Sequence, residues 1–138
     1  MERRGSLLLV EDERVLRELV AQYLRSEGFR VVEAADGAEG VEQYSREGPF
    51  DLALVDLNLP VFSGVEVCRR IKRINQDQPV MICSAAIVDE HETALLALGI
   101  NHFLTKPYHP ESLLAHILLE LGAPMLVRRA TPRLSQPA

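Results

Sequence analysis

The sequence predicts an α/β fold: a doubly wound, five-stranded parallel sheet with helices on both faces. Two observations predict it. Short apolar runs rich in Leu, Val and Ile alternate five times with amphipathic segments of helical period. The runs are mostly unbroken, which is the pattern of strands buried on both faces, and right-handed crossovers between parallel strands place helices on both sides of a sheet. A length of 138 residues is that of one domain.

The elements follow in order. Leu7–Val10 is the first strand. Residues 13–27 carry Val15, Leu16, Leu19, Val20, Tyr23 and Leu24 at i, i+3, i+4 spacing, with Gly28 as the stop. Arg30–Glu33 is a second strand, placed toward an edge by its charges. Asp36 with Glu39 three residues on resembles a capping box for a helix ending near Arg46. Gly48-Pro49 breaks the chain before the third strand, Leu52–Val55. A loop with Pro60 leads to a helix over 64–74, and Pro79–Cys83 is the fourth strand. Residues 89–98 form a helix stopped by Gly99, and His102–Thr105 is the fifth strand. Pro110 and Glu111 open a last helix that ends at Gly122. Residues 1–122 are thus the folded domain, and the Pro-, Arg- and Ser-bearing stretch 123–138 reads as a flexible tail or the start of a linker.

Charge is unevenly placed. Residues 1–122 hold 12 basic and 20 acidic side chains, whereas 123–138 hold Arg128, Arg129 and Arg133 and no acid. An acidic body repels a phosphate backbone, so nucleic acid is not expected as a direct partner. No apolar run approaches the ~20 residues of a membrane span. The apolar stretch after the basic start is only four residues long before Glu11-Asp12-Glu13, so no signal peptide is read and the cytoplasm is the expected compartment. Cys68 and Cys83 form no C-x-x-C pair and read as small apolar core residues.

Ligands in such sheets sit beyond the carboxyl ends of the strands, at the point where strand order reverses. The residues there are Glu11-Asp12-Glu13 after the first strand, Asp56 after the third, Ser84 after the fourth and Thr105-Lys106 at the fifth. Carboxylates gathered this closely raise one another's pKa unless a cation relieves them. A hard dication with oxygen ligands is the economical answer, and Mg²⁺ suits a few carboxylates plus waters and a phosphoryl oxygen. No Gly-rich turn follows the first strand, so phosphate enters only with the metal and Lys106 as counter-charges. Singly, Asp12 and Asp56 could be helix-cap acids, Ser84 a structural hydroxyl and Lys106 a solvated amine; their joint occurrence at successive strand ends argues otherwise.

With these residues in view, the sequence resembles the receiver domain of bacterial two-component response regulators over about Leu7 to Leu121. Leu8-Leu-Val-Glu-Asp-Glu13 resembles the first acidic motif, and Asp51-Leu-Ala-Leu-Val-Asp-Leu-Asn-Leu-Pro60 with Gly64 the phosphoacceptor segment. Cys83-Ser-Ala85 resembles the switch hydroxyl and Phe103-Leu-Thr-Lys-Pro107 the lysine segment. The resemblance implies a flavodoxin-like strand order of 2-1-3-4-5. It implies that Asp56 accepts a phosphoryl group from a histidine kinase or phosphotransfer protein, catalysing its own phosphorylation and dephosphorylation without turning over an external substrate. It further implies Mg²⁺ (with Mn²⁺ as substitute) on Asp12, Asp56 and the backbone carbonyl of Asn58, with Glu11 acting through water. Lys106 would pair with a carboxylate or phosphoryl oxygen, ahead of a cis Lys106–Pro107 bond. Ser84 would move to the phosphoryl group and Phe103 would turn inward, a two-state switch of the surface made by the fourth helix, fifth strand and last helix that controls a partner or output domain. Ala85 is small enough to leave the acceptor accessible.

The sequence also departs from the pattern. The last helix, Glu111–Glu120, lacks the arginines that many DNA-binding response regulators carry there, and Gly99-Ile-Asn-His102 lacks their acids, so that subgroup's charge-paired dimer is not evident. Leu113, Leu114, Ile117, Leu118, Leu119 and Leu121 are more apolar than one buried stripe requires, which predicts a partly hydrophobic partner or self-association surface, with a homodimer as one form of it. Of the four histidines, His102, His109 and His116 recur at intervals of seven. They fall on a strand, a loop and a helix, so the interval is expected to have no geometric meaning and no metal-ligand spacing.

Three rivals remain. A haloacid dehalogenase-type phosphatase wants a second Asp two residues after its nucleophile, where this chain has Asn58. A flavodoxin-like redox protein wants a phosphate loop where Glu11-Asp12-Glu13 stands. A receiver-like interaction module without phosphorylation is the alternative that keeps the fold and discards the chemistry.

Overall fold

Local chemistry sets the element boundaries in the computed structural model, which describes residues 4–122. β1 (Gly5–Val10) leads into α1 (Arg14–Ser26), β2 (Phe29–Ala34), α2 (Gly37–Glu47), β3 (Leu52–Val55) and α3 (Gly64–Ile74). Then come β4 (Val80–Ser84), α4 (Asp89–Ala97), β5 (Phe103–Thr105) and α5 (Pro110–Leu121). The Asp36 carboxylate accepts from the Glu39 N–H at 2.7 Å, and the Glu39 carboxylate reaches back to the Ala35 N–H at 2.6 Å, so one orphan donor of α2 and one of the turn before it are met together. Ser63 caps α3 through the Glu66 N–H. Pro110 opens α5, and Gly122 closes it in the left-handed region at φ 70°. Peptide bonds Gly48–Pro49 and Lys106–Pro107 are cis. The tail expected over 123–138 lies outside the described residues.

All neighbouring strands run parallel, in the order β2-β1-β3-β4-β5. β2, the charged strand, is an edge as expected. Side chains alternate across the sheet and feed two cores. Leu8, Val10, Ala53, Val55, Val80 and Ile82 pack with Tyr44 of α2, Val67, Cys68 and Ile71 of α3 and Leu95 of α4. Leu7, Leu9, Leu52, Leu54, Met81 and Cys83 pack with Val20, Ala21 and Leu24 of α1 and Leu113 and Ile117 of α5. Helices α1 and α5 therefore cover one face and α2, α3 and α4 the other. Both faces of β1, β3 and β4 are sealed, so their polar terminal residues emerge together at one rim.

The apolar surplus of α5 resolves largely into packing. Leu113 and Ile117 are fully buried, and Leu114, Leu118 and Leu121 lie half-buried against the second core. Leu119 alone of the six is largely exposed, at 69%. The sequence expectation counted one stripe, but α5 is wedged between the sheet and its neighbour α1, and so needs a wider apolar face. Among the described residues no helix is long and apolar enough to cross a membrane.

Candidate functional site

The β1, β3 and β4 termini are aligned by their ladder, with Val10 opposite Val55 and Val55 opposite Ile82. The residues that follow are therefore brought to one place: Glu11 and Asp12, then Asp56, then Ser84. The Asp56 N–H donates to the Val10 carbonyl at 3.1 Å, which ties the third-strand terminus to the first. The Lys106 N–H donates to the Ser84 carbonyl at 3.0 Å and brings the β5 terminus into the same cluster.

Asp56 is 6% exposed, and both its oxygens have partners. Oδ1 accepts from Ser84 Oγ at 3.0 Å and from the Asn58 N–H at 3.1 Å; Oδ2 accepts from Lys106 Nζ at 2.8 Å. The same ammonium lies 2.6 Å from Glu11 Oε1, while Glu11 Oε2 accepts from the Glu13 N–H. Glu11 is buried and Asp12 exposed, and ligand oxygens of Glu11, Asp12 and Asp56 lie within 4.8 Å of one another. Three carboxylates thus face one ammonium. Burial holds the Glu11 carboxyl above its ordinary value, against the pull of Lys106. Burial also draws Lys106 down, but the hydrogen bonds to Asp56 and Glu11 outweigh it and leave the amine more basic than usual.

A hard dication fits this donor set: three carboxylate oxygens at one rim, one of them on an open side chain, with the Lys106 ammonium shared between Glu11 and Asp56. Glu11, Asp12 and Asp56 are the residues that would hold it. Phe103 lies half-buried against the core on the α2–α4 face of the sheet, and Ala85 is exposed beside Ser84.

Tight backbone contact positions the Asp56 loop. A Cβ on Gly64 would collide with the Asp56 carbonyl oxygen and stand 2.6 Å from Leu57 Cα, so α3 can start against the strand terminus only with glycine there. The Gly64 N–H donates to the Leu57 carbonyl at 2.9 Å. Val61, in the same loop, takes φ 72° while 71% exposed, a strained conformation for a β-branched residue.

Sequence reasoning missed three features. Arg17 donates to the Glu11 carbonyl at 2.9 Å and to Glu33 at 3.2 Å, fastening the acidic loop to α1 and β2. Its position on α1 reads as a solvated one, and only the turn between β1 and α1 makes it inward. Tyr108 sits beneath the site, its phenol pushed up by burial and by the nearby Cys83, Glu11 and Asp56. The third feature corrects an expectation. His102 precedes β5 rather than lying within it, and its Nε2 is 2.8 Å from Nδ1 of His116 on α5. Fourteen residues apart, the two rings meet because α5 folds back along β5, so the interval does have a geometric consequence. Burial pushes the thiols of Cys68 and Cys83 up to about 12, in keeping with inert core residues.

The chain matches the family model of the response regulator receiver domain over residues 7–118 and belongs to that family. Among curated relatives it is 37% identical to the sensory transduction protein RegX3 of Mycolicibacterium smegmatis, over 86% of this chain and 52% of the relative. It is 34% identical to the transcriptional regulatory protein DltR of Streptococcus agalactiae, over 93% of this chain and 57% of that protein. The chain thus spans about half the length of the curated relatives it matches. Among solved structures it resembles a CheY-like response regulator receiver domain from Methanospirillum hungatei, with TM-score 0.80 and 26% identity over 88% of this chain and 94% of the other. It also resembles the non-phosphorylated HemR receiver domain of Leptospira biflexa, with TM-score 0.79 and 26% identity over 98% and 99%. The chain is a receiver domain of two-component signal transduction, and receiver domains are not enzymes in the ordinary sense.

Proposed function

We propose that Asp56 is the phosphoacceptor, taking a phosphoryl group from the phosphohistidine of a kinase or phosphotransfer protein. One observation carries this reading: a buried carboxylate whose two oxygens are held by Ser84, the Asn58 N–H and Lys106, beside two further acids. In the transfer, one Asp56 oxygen forms a bond to phosphorus while the donor P–N bond breaks and its electron pair returns to the imidazole. A bound Mg²⁺ supplies charge neutralisation between the carboxylates and the incoming phosphoryl oxygens. Lys106 exchanges one carboxylate partner for a phosphoryl oxygen, and Ser84 Oγ, already a donor to Asp56, turns its hydrogen bond to the new group. Asn58 donates its N–H to Asp56, and its backbone carbonyl would be a further oxygen ligand for the ion. Hydrolysis of the acyl phosphate on the same residues restores the carboxylate.

Lys106 directly follows β5, so an exchange of its partners would reach β5, and through it Phe103 and the surface of α4, β5 and α5. That surface exposes Val88, Leu96 and Leu119, apolar contacts for a partner, an output domain or a second copy. Incubation with acetyl phosphate and Mg²⁺ should add the mass of one phosphoryl group to the intact protein, and Asp56→Ala should add none. Wild-type protein that gains no phosphoryl group and binds no Mg²⁺ would instead be a receiver-like interaction module.

A further inference from the structure

We propose that His102 and His116, oriented by Glu120, form a second metal site, for a borderline divalent cation of the Zn²⁺ class, at the opposite end of β5 from Lys106. His102 Nε2 and His116 Nδ1 face each other at 2.8 Å, with the rings tilted by 55° and their centroids 5.0 Å apart. On the far side of the His102 ring, Nδ1 lies 2.7 Å from Glu120 Oε1. A carboxylate in that place accepts a hydrogen bond from Nδ1–H, keeps the proton on that nitrogen and leaves the Nε2 lone pair directed at His116. This is the arrangement by which metal-binding imidazoles are commonly held: one nitrogen to the ion, the other donating to a carboxylate. His116 presents its own lone pair when its proton resides on Nε2, a tautomeric shift that changes no charge.

Two nitrogens at ~2.0–2.1 Å from a tetrahedral ion stand roughly 3.3 Å apart, so the rings need part by only about 0.5 Å, within reach of side-chain torsions. The place is accessible: β5 is an edge strand, and the side chains of His102 and Glu120 are 19% and 30% exposed. Two imidazoles select Zn²⁺, Cu²⁺ or Ni²⁺ over Mg²⁺, which prefers the oxygens of the acidic rim. The remaining coordination positions fall to water or to a donor from another molecule. An ion there ties the entry of β5 to α5.

Calorimetric titration with Zn²⁺, in excess Mg²⁺ to occupy the acidic rim, tests this. One equivalent should bind in the micromolar range, and His102→Gln and His116→Gln should each weaken binding at least about 10-fold. Glu120→Gln, which removes only the orienting carboxylate, should weaken it by about 10-fold. His109→Gln, on an exposed histidine away from the pair, should leave it unchanged. Half an equivalent with a doubling of mass supports the same ligands, shared between two copies. The proposal is overturned if the wild type shows no saturable binding, or if both histidine variants bind as the wild type does. Thermal unfolding of each variant separates lost ligands from lost fold.

Discussion

The sheet buries polar groups at both of its ends, on opposite terms. At the amino ends of β3 and β4, Gln78 is 1% exposed and both polar atoms of its side chain are hydrogen-bonded. Its Oε1 accepts from Tyr44 Oη at 2.8 Å and from the Phe50 N–H at 3.0 Å, and its Nε2 donates to the Pro79 carbonyl at 2.8 Å. Lys72 donates to the Gln78 carbonyl at 2.8 Å, and the Asn75 amide donates to Tyr44 Oη at 3.3 Å. At the carboxyl ends, Glu11 and Asp56 share one lysine, and burial works against the Glu11 charge. A buried network of hydrogen-bonded amide, phenol and backbone groups, with a single ammonium at its border, strengthens a fold, whereas crowded buried charge weakens it until a ligand supplies what is missing. The amino end is held by its own hydrogen bonds, and the carboxyl end gathers more carboxylates than its lysine can match.

The contrast can be broken by removing its parts. Gln78→Ala should cost about 3 kcal/mol, because it strands the Phe50 N–H and the Tyr44 hydroxyl in the interior, and Mg²⁺ should not restore the loss. Urea unfolding with and without the ion measures it; a cost that Mg²⁺ reverses would mean that the two ends are not independent. At the other end, Mg²⁺ at about 100 times its dissociation constant should stabilise the wild type by ~2.7 kcal/mol, and Asp12→Asn should lose most of that gain. Unchanged melting of the wild type on adding Mg²⁺ would remove the charge argument.

The smallest effect concerns pH. Burial holds the Tyr44 phenol above its ordinary value of 10.0, against the Asn75 amide that donates to it. The unfolded chain therefore releases this proton first on raising the pH, so the contribution is intact below pH 10 and declines as pH climbs through the folded value. Tyr44→Phe should lose about 1 kcal/mol at neutral pH and flatten the alkaline limb of the stability curve. An alkaline limb identical in both proteins would assign it to other groups.

The fold was readable because most strands are apolar runs and α1 and α3 carry period-3.6 stripes, both local patterns, while turn and cap residues bounded the rest. The rim was readable for a related reason: in a parallel sheet, whatever follows a strand lies at the same edge, so Asp56, Ser84 and Lys106 could be gathered from order alone. What escaped depends on contacts that no local pattern encodes. Arg17 looks like any solvated helix residue until the turn at Glu13 swings it onto the Glu11 carbonyl. Gln78 and Tyr44 are 34 residues apart and meet only once α2 packs against α3, whose following loop carries Gln78. His102 and His116 meet only because α5 doubles back. The left-handed φ of Val61 contradicts the preference of its own side chain, so sequence points away from it.

The amine of Lys106 grips two carboxylates belonging to different strands, yet it hangs from β5, a strand of three residues joined to a single neighbour. The strongest electrostatic tether in the pocket is therefore anchored to the most loosely held plank of the sheet. The three strands that carry Glu11, Asp56 and Ser84 are braced on either side. The rim's cation therefore rides on an edge of the sheet, and its buried carboxylates and hydroxyl on strands held from both sides.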